Sequence, residues 1–145
     1  PSATRAQARL GAARVLVVDN DPAALAATAA LLGKWGLEVV CAASLAEAQA
    51  AAPAAPDVAI MDYRLDGSER GDTAYIALSE RWGRRPPVIL LTAEGSEETE
   101  AAAARMGAHR LLKPAPPAAL RALIATCLAQ ARDAGGQPAG EPVAG

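Results

Sequence analysis

The feature that most constrains the fold of this chain is an alternation of short apolar runs with longer helical patterns. The apolar runs lie at residues 15–18, 37–41, 58–61, 88–91 and 111–112. Continuous apolar runs of this length are typical of parallel strands that are buried on both faces. Because a helical pattern follows each run, we predict an α/β fold in which helices cover both faces of a five-stranded parallel sheet.

The starts of three helices are also marked in the sequence. Asp21 followed by Pro22 predicts an N-cap and the first position of a helix. Ser44 with Glu47 three residues later predicts a capping box, and Ser96 is expected to cap the helix after the fourth strand. The last helix has a regular apolar stripe, formed by Leu120, Leu123, Ile124, Cys127 and Leu128.

Length and composition predict a single domain with an aliphatic core. The chain has 145 residues, its aromatic share is 3% and it contains no Phe, so that Ala, Val, Leu and Ile must fill the interior. The polar, Ala-rich start and the Ala-, Gly- and Pro-rich end have little to bury. We therefore predict a linker at residues 1–13, the folded domain at 14–131 and a disordered tail at 132–145.

Charge and cysteine content exclude several classes of function. The formal net charge of −2 gives no electrostatic reason to expect binding to nucleic acid or to an anionic membrane. Cys41 and Cys127 lack metal-type spacing, and we expect reduced core thiols in a cytoplasmic protein. No apolar run approaches the ~20 residues of a membrane span, and no signal-peptide pattern is present.

Polar residues follow four of the predicted strands at the point where each strand ends. The segment DND at residues 19–21 follows the first strand, Asp62 the third, Thr92 the fourth and Lys113 the fifth. Ligand sites in open parallel sheets lie outside the carboxyl ends of the strands, so we expect these side chains to converge on one edge of the sheet.

This set of side chains suits phosphoryl transfer. Clustered carboxylates repel one another, and their oxygen ligands point to a neutralising Mg²⁺ or Mn²⁺ ion. A lysine and a threonine hydroxyl can each contact a phosphoryl oxygen. Each residue alone also has a structural interpretation, as a turn, a strand exit or a helix cap. For Asp21 the cap is the better interpretation, because Pro22 follows it.

The ordered motifs resemble the receiver domains of two-component response regulators. The matching segments are VLVVDND (15–21), AIMDYRLDG (59–67), VILLTAEG (88–95) and LLKP (111–114), and the resemblance spans roughly residues 14–130. It implies a flavodoxin-like, doubly wound sheet with strand order 2-1-3-4-5. It also implies a domain that performs no turnover beyond its own phosphorylation and dephosphorylation.

The resemblance implies specific roles for the residues at the strand ends. Asp62 would accept a phosphoryl group from another protein's phosphohistidine, and we expect it to be accessible at the surface for that reason. Thr92 would be the switch hydroxyl, and Lys113 would contact the phosphoryl group. The implied ligands of Mg²⁺ or Mn²⁺ are Asp19, Asn20, Asp62 and the backbone carbonyl of Arg64. The implied partner is a histidine kinase or a histidine phosphotransfer domain, and a homodimer is left open.

The chain departs from the family pattern at three points. Asn20 stands where a second acid is usual, which keeps an oxygen ligand but removes a charge, and we expect weakened metal affinity. Arg110 stands where an aromatic residue or His usually acts as a rotamer switch. We expect Arg110 to stay at the surface, because its guanidinium is costly to bury unpaired. The expected partners of Arg110 are Glu94, Glu97 or Glu98. The stretch 107–113 is also one residue shorter than the common pattern.

Two features favour a place at the C-terminus of a hybrid sensor histidine kinase. The segments DYRLDG and PAPPAALRALI resemble the corresponding segments of receivers fused to such kinases. The chain also begins at Pro1 without a Met, and we expect it to be part of a longer protein.

Two other functions fit parts of the pattern. In a haloacid-dehalogenase-type phosphatase, Asp19 would be the nucleophile, with Asp21, Thr92 and Lys113 in support. That alternative leaves Asp62 without a role, and the chain is short for the usual cap domain. A pseudo-receiver would have the same fold and act only as a protein-binding module, and Asn20 is its best support. Repeated hydrolysis of p-nitrophenyl phosphate would identify the phosphatase, and labelling by an acyl phosphate would separate a working receiver from a pseudo-receiver.

Overall fold

The computed structural model describes residues 10–136, in which five strands alternate with five helices. In chain order the elements are β1 Arg14–Val18, α1 Pro22–Lys34, β2 Glu38–Ala42, α2 Leu45–Ala51, β3 Val58–Asp62, α3 Gly71–Trp82, β4 Val88–Thr92, α4 Glu97–Met106, β5 His109–Leu112 and α5 Pro117–Gly136. Within these residues, no helix combines the length and the apolar character needed to cross a bilayer.

The five strands form one parallel sheet in the order β2-β1-β3-β4-β5. This is the α/β fold predicted from the sequence pattern, with the strand order that the family resemblance implies. The register aligns the carboxyl ends of the strands, with Val18 beside Met61 and Asp62 beside Leu91. Residues that follow neighbouring strands therefore meet at one edge of the sheet.

Each face of the sheet carries its own core. Alternate side chains of a strand point to opposite faces. Val15, Val17 and Ile60 lie in one core, which the helices α1 and α5 cover. Leu16 and Met61 lie in the other core, which α2, α3 and α4 cover. The strands β3 and β4 are buried along their whole length, as their continuous apolar runs predict.

The helix starts follow the capping signals in the sequence. The side chain of Asp21 accepts a hydrogen bond from the Ala23 N–H (3.0 Å), and Pro22 is the first residue of α1. The Ser44 hydroxyl accepts from the Glu47 N–H (3.1 Å) at the start of α2. Ser96 caps α4 through a reciprocal capping box with Thr99.

Several boundaries differ from those expected. The strand β2 lies one residue later than predicted, and β5 begins at His109. The helix α5 continues to Gly136, past the predicted domain boundary at residue 131. The Leu10 N–H donates to the Trp35 carbonyl (2.7 Å), so the end of the predicted linker lies against the domain. Residues 1–9 and 137–145, which hold most of the predicted linker and tail, lie outside the described residues.

The two cysteines differ in burial, and one of the two tryptophans is anchored by a hydrogen bond. Cys127 is buried and burial raises its pKa to about 11, whereas Cys41 is exposed, so the expectation of two core thiols is wrong for Cys41. Trp82 ends α3 and donates its indole N–H to the Ala52 carbonyl (2.8 Å).

Candidate functional site

The predicted site residues meet at the carboxyl edge of the sheet. Asp62 and Thr92 are the last residues of β3 and β4, and Asp19 directly follows β1. Lys113 directly follows β5, and its N–H donates to the Thr92 carbonyl (2.8 Å). These four residues therefore occupy the ends of four strands in one sheet.

Lys113 joins the two carboxylates. Its Nζ lies 3.4 Å from Asp19 Oδ2 and 3.4 Å from Asp62 Oδ2. The side chains of Asp19 and Asp62 are only 3% and 10% exposed, whereas that of Lys113 is 29% exposed. Two nearly buried carboxylates thus share one ammonium group, which offsets the charge of only one of them. Only a small part of the Asp62 side chain is therefore accessible at the surface, which is less than expected for a group that meets another protein.

The electrostatics of this trio disfavour the ionised form of Asp62. Burial raises the pKa of Asp62 to about 6, and repulsion from Asp19 adds to it, while Lys113 opposes the rise. Burial alone would lower the pKa of Lys113, but the two carboxylates outweigh it and raise that pKa. An additional positive charge near Asp62 would therefore be electrostatically favourable.

The two acids of the segment 19–21 have different roles: Asp19 belongs to the site, and Asp21 caps α1. Asp19 Oδ1 accepts from the Asp21 N–H (2.9 Å), which fixes the Asp19 carboxylate. Asp21 caps α1, as its position before Pro22 predicts. Asp21 is therefore committed to the helix start.

Asn20 has a partner that is not expected from the sequence. Its Nδ2 donates to Oδ1 of Asp66 (2.9 Å), which lies in the loop after β3. Asp66 belongs to the segment DYRLDG, but nothing in that pattern indicated a contact with a residue 46 positions earlier.

The Thr92 hydroxyl has no hydrogen-bond partner in the described part of the chain, although the residue is only 1% exposed. A buried hydroxyl without a partner is unfavourable by ~1–3 kcal/mol. The position of Thr92 at the end of β4 places this donor at the edge that holds Asp62.

The oxygen atoms available as ligands at this edge fit a small, hard cation. They are the side-chain oxygens of Asp19, Asp62 and Asn20 and the backbone carbonyls of the loop after β3. Mg²⁺ and Mn²⁺ prefer oxygen ligands. Within residues 10–136, no three His, Cys, Asp or Glu side chains are grouped so as to hold a metal ion. A cation here would therefore rely on two carboxylates and on neutral oxygens.

Gly71 supports the backbone at Asp62. Its N–H donates to the Tyr63 carbonyl (2.7 Å), and a Cβ at this position would lie 2.3 Å from the Asp62 carbonyl oxygen. Only glycine allows the first turn of α3 to approach β3 so closely. Nothing in the sequence around Gly71 indicates this contact.

Two contacts tie α4 to the neighbourhood of Asp62. Tyr63 is buried and its hydroxyl donates to Glu98, in the first turn of α4. Arg105 of α4 contacts the fully buried Asp72 of α3 at 2.5 Å, and Arg70 contacts the other oxygen of Asp72 at 3.0 Å. Burial alone would raise the pKa of Asp72, but the hydrogen bonds from the two arginines hold it below its usual value.

Arg110 stays at the surface, but its acidic partner differs from those expected. Its Nη2 lies 3.6 Å from Glu100 Oε2, and its Nη1 donates to the Thr99 hydroxyl (3.1 Å). Glu94, Glu97 and Glu98 were the expected partners. Glu100 is one helical turn into α4, so it lies beside β5, whereas Glu98 faces Tyr63.

A cavity of about 250 Å³ opens beside Asp19 and Lys113. Its apolar wall is formed by one side of α1, at Ala24, Ala27 and Leu31, and by the chain after β5. Another cavity, of about 630 Å³, lies at the C-terminal end of α3 beside Arg84 and Arg105, and contains none of the predicted site residues.

Comparisons with known proteins agree with this geometry. A family model described as the response regulator receiver domain matches residues 15–125. A solved response regulator receiver domain protein (CheY-like) from Methanospirillum hungatei JF-1 is 26% identical, with a TM-score of 0.76, over 85% of this chain and 98% of that chain. The chemotaxis protein CheY4 of Vibrio cholerae is 30% identical, with a TM-score of 0.72, over 81% of this chain and 99% of that chain.

A solved receiver domain protein from Clostridium thermocellum is 25% identical, with a TM-score of 0.73, over 84% of this chain and 98% of that chain. No curated protein matches the sequence. The family match covers most of the chain and includes the ends of the four strands that carry the site. The chain belongs to the response regulator receiver domain family.

Proposed function

We propose that this domain accepts a phosphoryl group on Asp62 from a phosphohistidine and changes conformation as a result. One observation carries the proposal. A nearly buried carboxylate at the end of β3 lies 3.4 Å from a lysine ammonium, on the edge where a buried threonine hydroxyl lacks a partner. A carboxylate nucleophile, a cation and a spare hydrogen-bond donor are the parts that phosphoryl transfer to a protein needs.

In the proposed reaction, the Asp62 carboxylate attacks the phosphorus of the phosphohistidine. A bond forms between an Asp62 oxygen and phosphorus, the phosphorus–nitrogen bond breaks, and the imidazole nitrogen keeps the electron pair and takes up a proton. With a pKa of about 6, Asp62 is largely ionised near pH 7 and can act as nucleophile. Lys113 then balances the phosphoryl oxygens, an interaction of ~4 kcal/mol at ~4 Å and an effective dielectric of ~20.

The proposal includes Mg²⁺ or Mn²⁺ at the same edge. Asp19, Asn20, Asp62 and the Arg64 carbonyl would hold the ion, whose charge would offset that of the carboxylates and the incoming phosphoryl group. The raised pKa of Asp62 supports this part of the proposal, because a second cation would favour its ionised form.

The conformational response would begin at Thr92. Its hydroxyl would donate to a phosphoryl oxygen, which gives this buried group the partner that it lacks. The residues that follow it, 93–96, lead directly into the cap of α4 at Ser96. A shift of Thr92 would therefore move the start of α4, which Glu98 ties to Tyr63 beside Asp62.

We further propose that the donor is a protein, a histidine kinase or a histidine phosphotransfer domain in the cytoplasm. The apolar side of α1 beside Asp19 and Lys113 supports this, because it offers contact area next to the acceptor. The segment DYRLDG favours a donor in the same polypeptide, a hybrid histidine kinase. The reading frame of the full gene tests that placement, and a frame without a kinase domain would contradict it.

Labelling with acetyl phosphate and Mg²⁺ tests the acceptor. We expect one phosphoryl group on the wild-type protein, seen by intact mass, and none on Asp62→Asn. Asp57→Asn is the matched control, because Asp57 is an exposed acid just before β3, at the opposite end of the strand. Equal labelling of Asp62→Asn and wild type would contradict the assignment of Asp62.

Labelling and a hydrolysis assay together separate the two alternatives. A pseudo-receiver, which Asn20 favours, would take no label at any Mg²⁺ concentration. A phosphatase with Asp19 as nucleophile would hydrolyse p-nitrophenyl phosphate repeatedly, and Asp62→Asn would retain that activity. We expect neither result.

A further inference from the structure

We propose that Asp66 is a positioning residue that turns the amide oxygen of Asn20 toward the divalent cation. The inference rests on the proposed function, since it concerns the metal ion that the carboxyl edge would hold. Its starting point is the hydrogen bond from Asn20 Nδ2 to Asp66 Oδ1, at 2.9 Å.

The chemistry of the two side chains fixes which end of the amide faces Asp66. An ionised carboxylate only accepts hydrogen bonds, whereas an amide has an NH₂ donor and a carbonyl acceptor. Asp66 therefore selects the NH₂ group of Asn20 and leaves the carbonyl oxygen directed away from it. Without this contact, Asn20 could present its NH₂ group to a cation, which would repel it.

The loop after β3 holds Asp66 in place. The Glu69 N–H donates to the Asp66 carbonyl (3.0 Å), and the Leu65 N–H donates to the Glu69 carbonyl (3.0 Å). Gly67 has a φ of 61°, a left-handed conformation that suits glycine. Arg64 and Arg70 pair as an isolated antiparallel bridge that closes the loop.

This arrangement compensates for the second acid that is usual in the family at the position of Asn20. The loop supplies an acidic side chain at the distance of one hydrogen bond, and the Arg64 carbonyl comes from the same loop. Asp66 would thus restore both the orientation of an oxygen ligand and some of the negative charge of the site. Hydrogen-bond partners of metal ligands typically change metal affinity by ~10–100-fold.

A double-mutant cycle separates orientation from charge. Mg²⁺ affinity is measured by calorimetry for wild type, Asp66→Ala, Asn20→Asp and the double variant. We expect Asp66→Ala to weaken Mg²⁺ binding about tenfold in the wild-type background. In the Asn20→Asp background the loss should be far smaller, because a carboxylate presents an oxygen whichever way it turns.

Glu94→Gln is the control for charge alone, since it removes one exposed acid just beyond Thr92 on the same edge. It should weaken Mg²⁺ binding much less than Asp66→Ala does. An equal loss for Asp66→Ala in both backgrounds would mean that Asp66 acts only through its charge, and would overturn the inference. Wild-type affinity for Asp66→Ala would overturn it as well.

A second readout needs no metal. In metal-free protein, Asp66→Ala should shift the side-chain NH₂ resonances of Asn20 in the NMR spectrum, and Glu94→Gln should leave them in place. Unchanged resonances in Asp66→Ala would show that the hydrogen bond is absent in solution, and would reject the inference.

The inference and the proposed function fail in different ways. If wild type binds Mg²⁺ and is labelled on Asp62 while Asp66→Ala keeps full affinity, only the role of Asp66 is wrong. If wild type neither binds Mg²⁺ nor takes label, the proposed function is wrong and the inference falls with it.

Discussion

The surroundings of Asp62 oppose its charge, and this makes the stability of the fold depend on pH. Its pKa rises from 3.8 to about 6, chiefly through burial. The folded state therefore binds a proton more tightly than the unfolded state does. Stability associated with this proton is present below pH 4 and is lost as the pH rises from about 4 to about 6.

Asp62→Asn should accordingly stabilise the protein at neutral pH. We expect its free energy of unfolding to exceed that of wild type by up to about 3 kcal/mol above pH 6. The excess should shrink as the pH falls from about 6 to about 4, and Mg²⁺ should reduce it at neutral pH. Urea unfolding monitored by circular dichroism gives both values, and a difference that is constant with pH would contradict the prediction.

Thr92 and Thr99 are both buried, but only the hydroxyl of Thr99 is satisfied. Thr99 Oγ1 accepts from the Ser96 N–H and from Arg110, whereas Thr92 has no hydrogen-bond partner in the described residues. We expect Thr92→Val to stabilise the unphosphorylated protein by about 1 kcal/mol. Thr99→Val should destabilise it by about 1–3 kcal/mol. Destabilisation by both would mean that Thr92 has a partner after all.

At the scale of elements, the junction of β3 with α3 requires glycine. A Cβ on Gly71 would collide with the carbonyl oxygen of Asp62, so Gly71→Ala must displace the strand or the helix. We expect a loss of stability of about 1–3 kcal/mol and slower labelling by acetyl phosphate.

Gly33→Ala is the matched control for that change. Gly33 lies in α1, and a Cβ there would meet nothing within 4 Å. Alanine favours a helix over glycine, so this variant should gain about 0.5–1 kcal/mol. Equal effects of the two substitutions in urea unfolding would show that the collision is relieved without consequence.

The contact between β5 and α4 suggests how the domain responds without an aromatic switch. Arg110 binds the first turn of α4 through the Thr99 hydroxyl and the Ser96 carbonyl. We expect Arg110 to remain at the surface when the protein binds beryllofluoride, with movement confined to Thr92 and residues 93–96. A structure of that complex with Arg110 turned into the core would refute this.

The elements that could be predicted are those whose signals are local. A strand buried on both faces needs a continuous apolar run, and Asp62, Thr92 and Lys113 stand directly after such runs. The contacts that could not be predicted join different elements or loops: Asn20 with Asp66, Gly71 with Asp62, and Arg110 with Glu100 rather than Glu98. Their partners depend on how the loops fold over the edge of the sheet and how the helices pack against the strands, and this leaves no periodic pattern in the sequence.

At the scale of the whole molecule, the edge that carries Asp62 adjoins an apolar side of α1, where a protein donor would dock. Ala27 lines the cavity there, and Ala26 does not. We expect Ala27→Glu to slow transfer from a phosphohistidine protein roughly tenfold or more, because docking would bury an unpaired carboxylate.

Ala26→Glu adds the same charge one residue away on α1 and should transfer at nearly the wild-type rate. Acetyl phosphate labelling of both variants shows whether the acceptor itself is intact. Equal transfer rates for Ala26→Glu and Ala27→Glu would indicate that the donor docks elsewhere.

The positions of the two tryptophans have a practical consequence. Trp82 ends α3, and Trp35 follows α1, where the guanidinium of Arg121 lies 5.4 Å from its ring. In a parallel α/β fold the helices end at the edge where the strands begin, opposite to Asp62. The intrinsic fluorescence of this protein should therefore report the packing of the helices and change little on phosphorylation of Asp62. A fluorophore introduced in residues 93–96 would be needed to follow phosphorylation in real time.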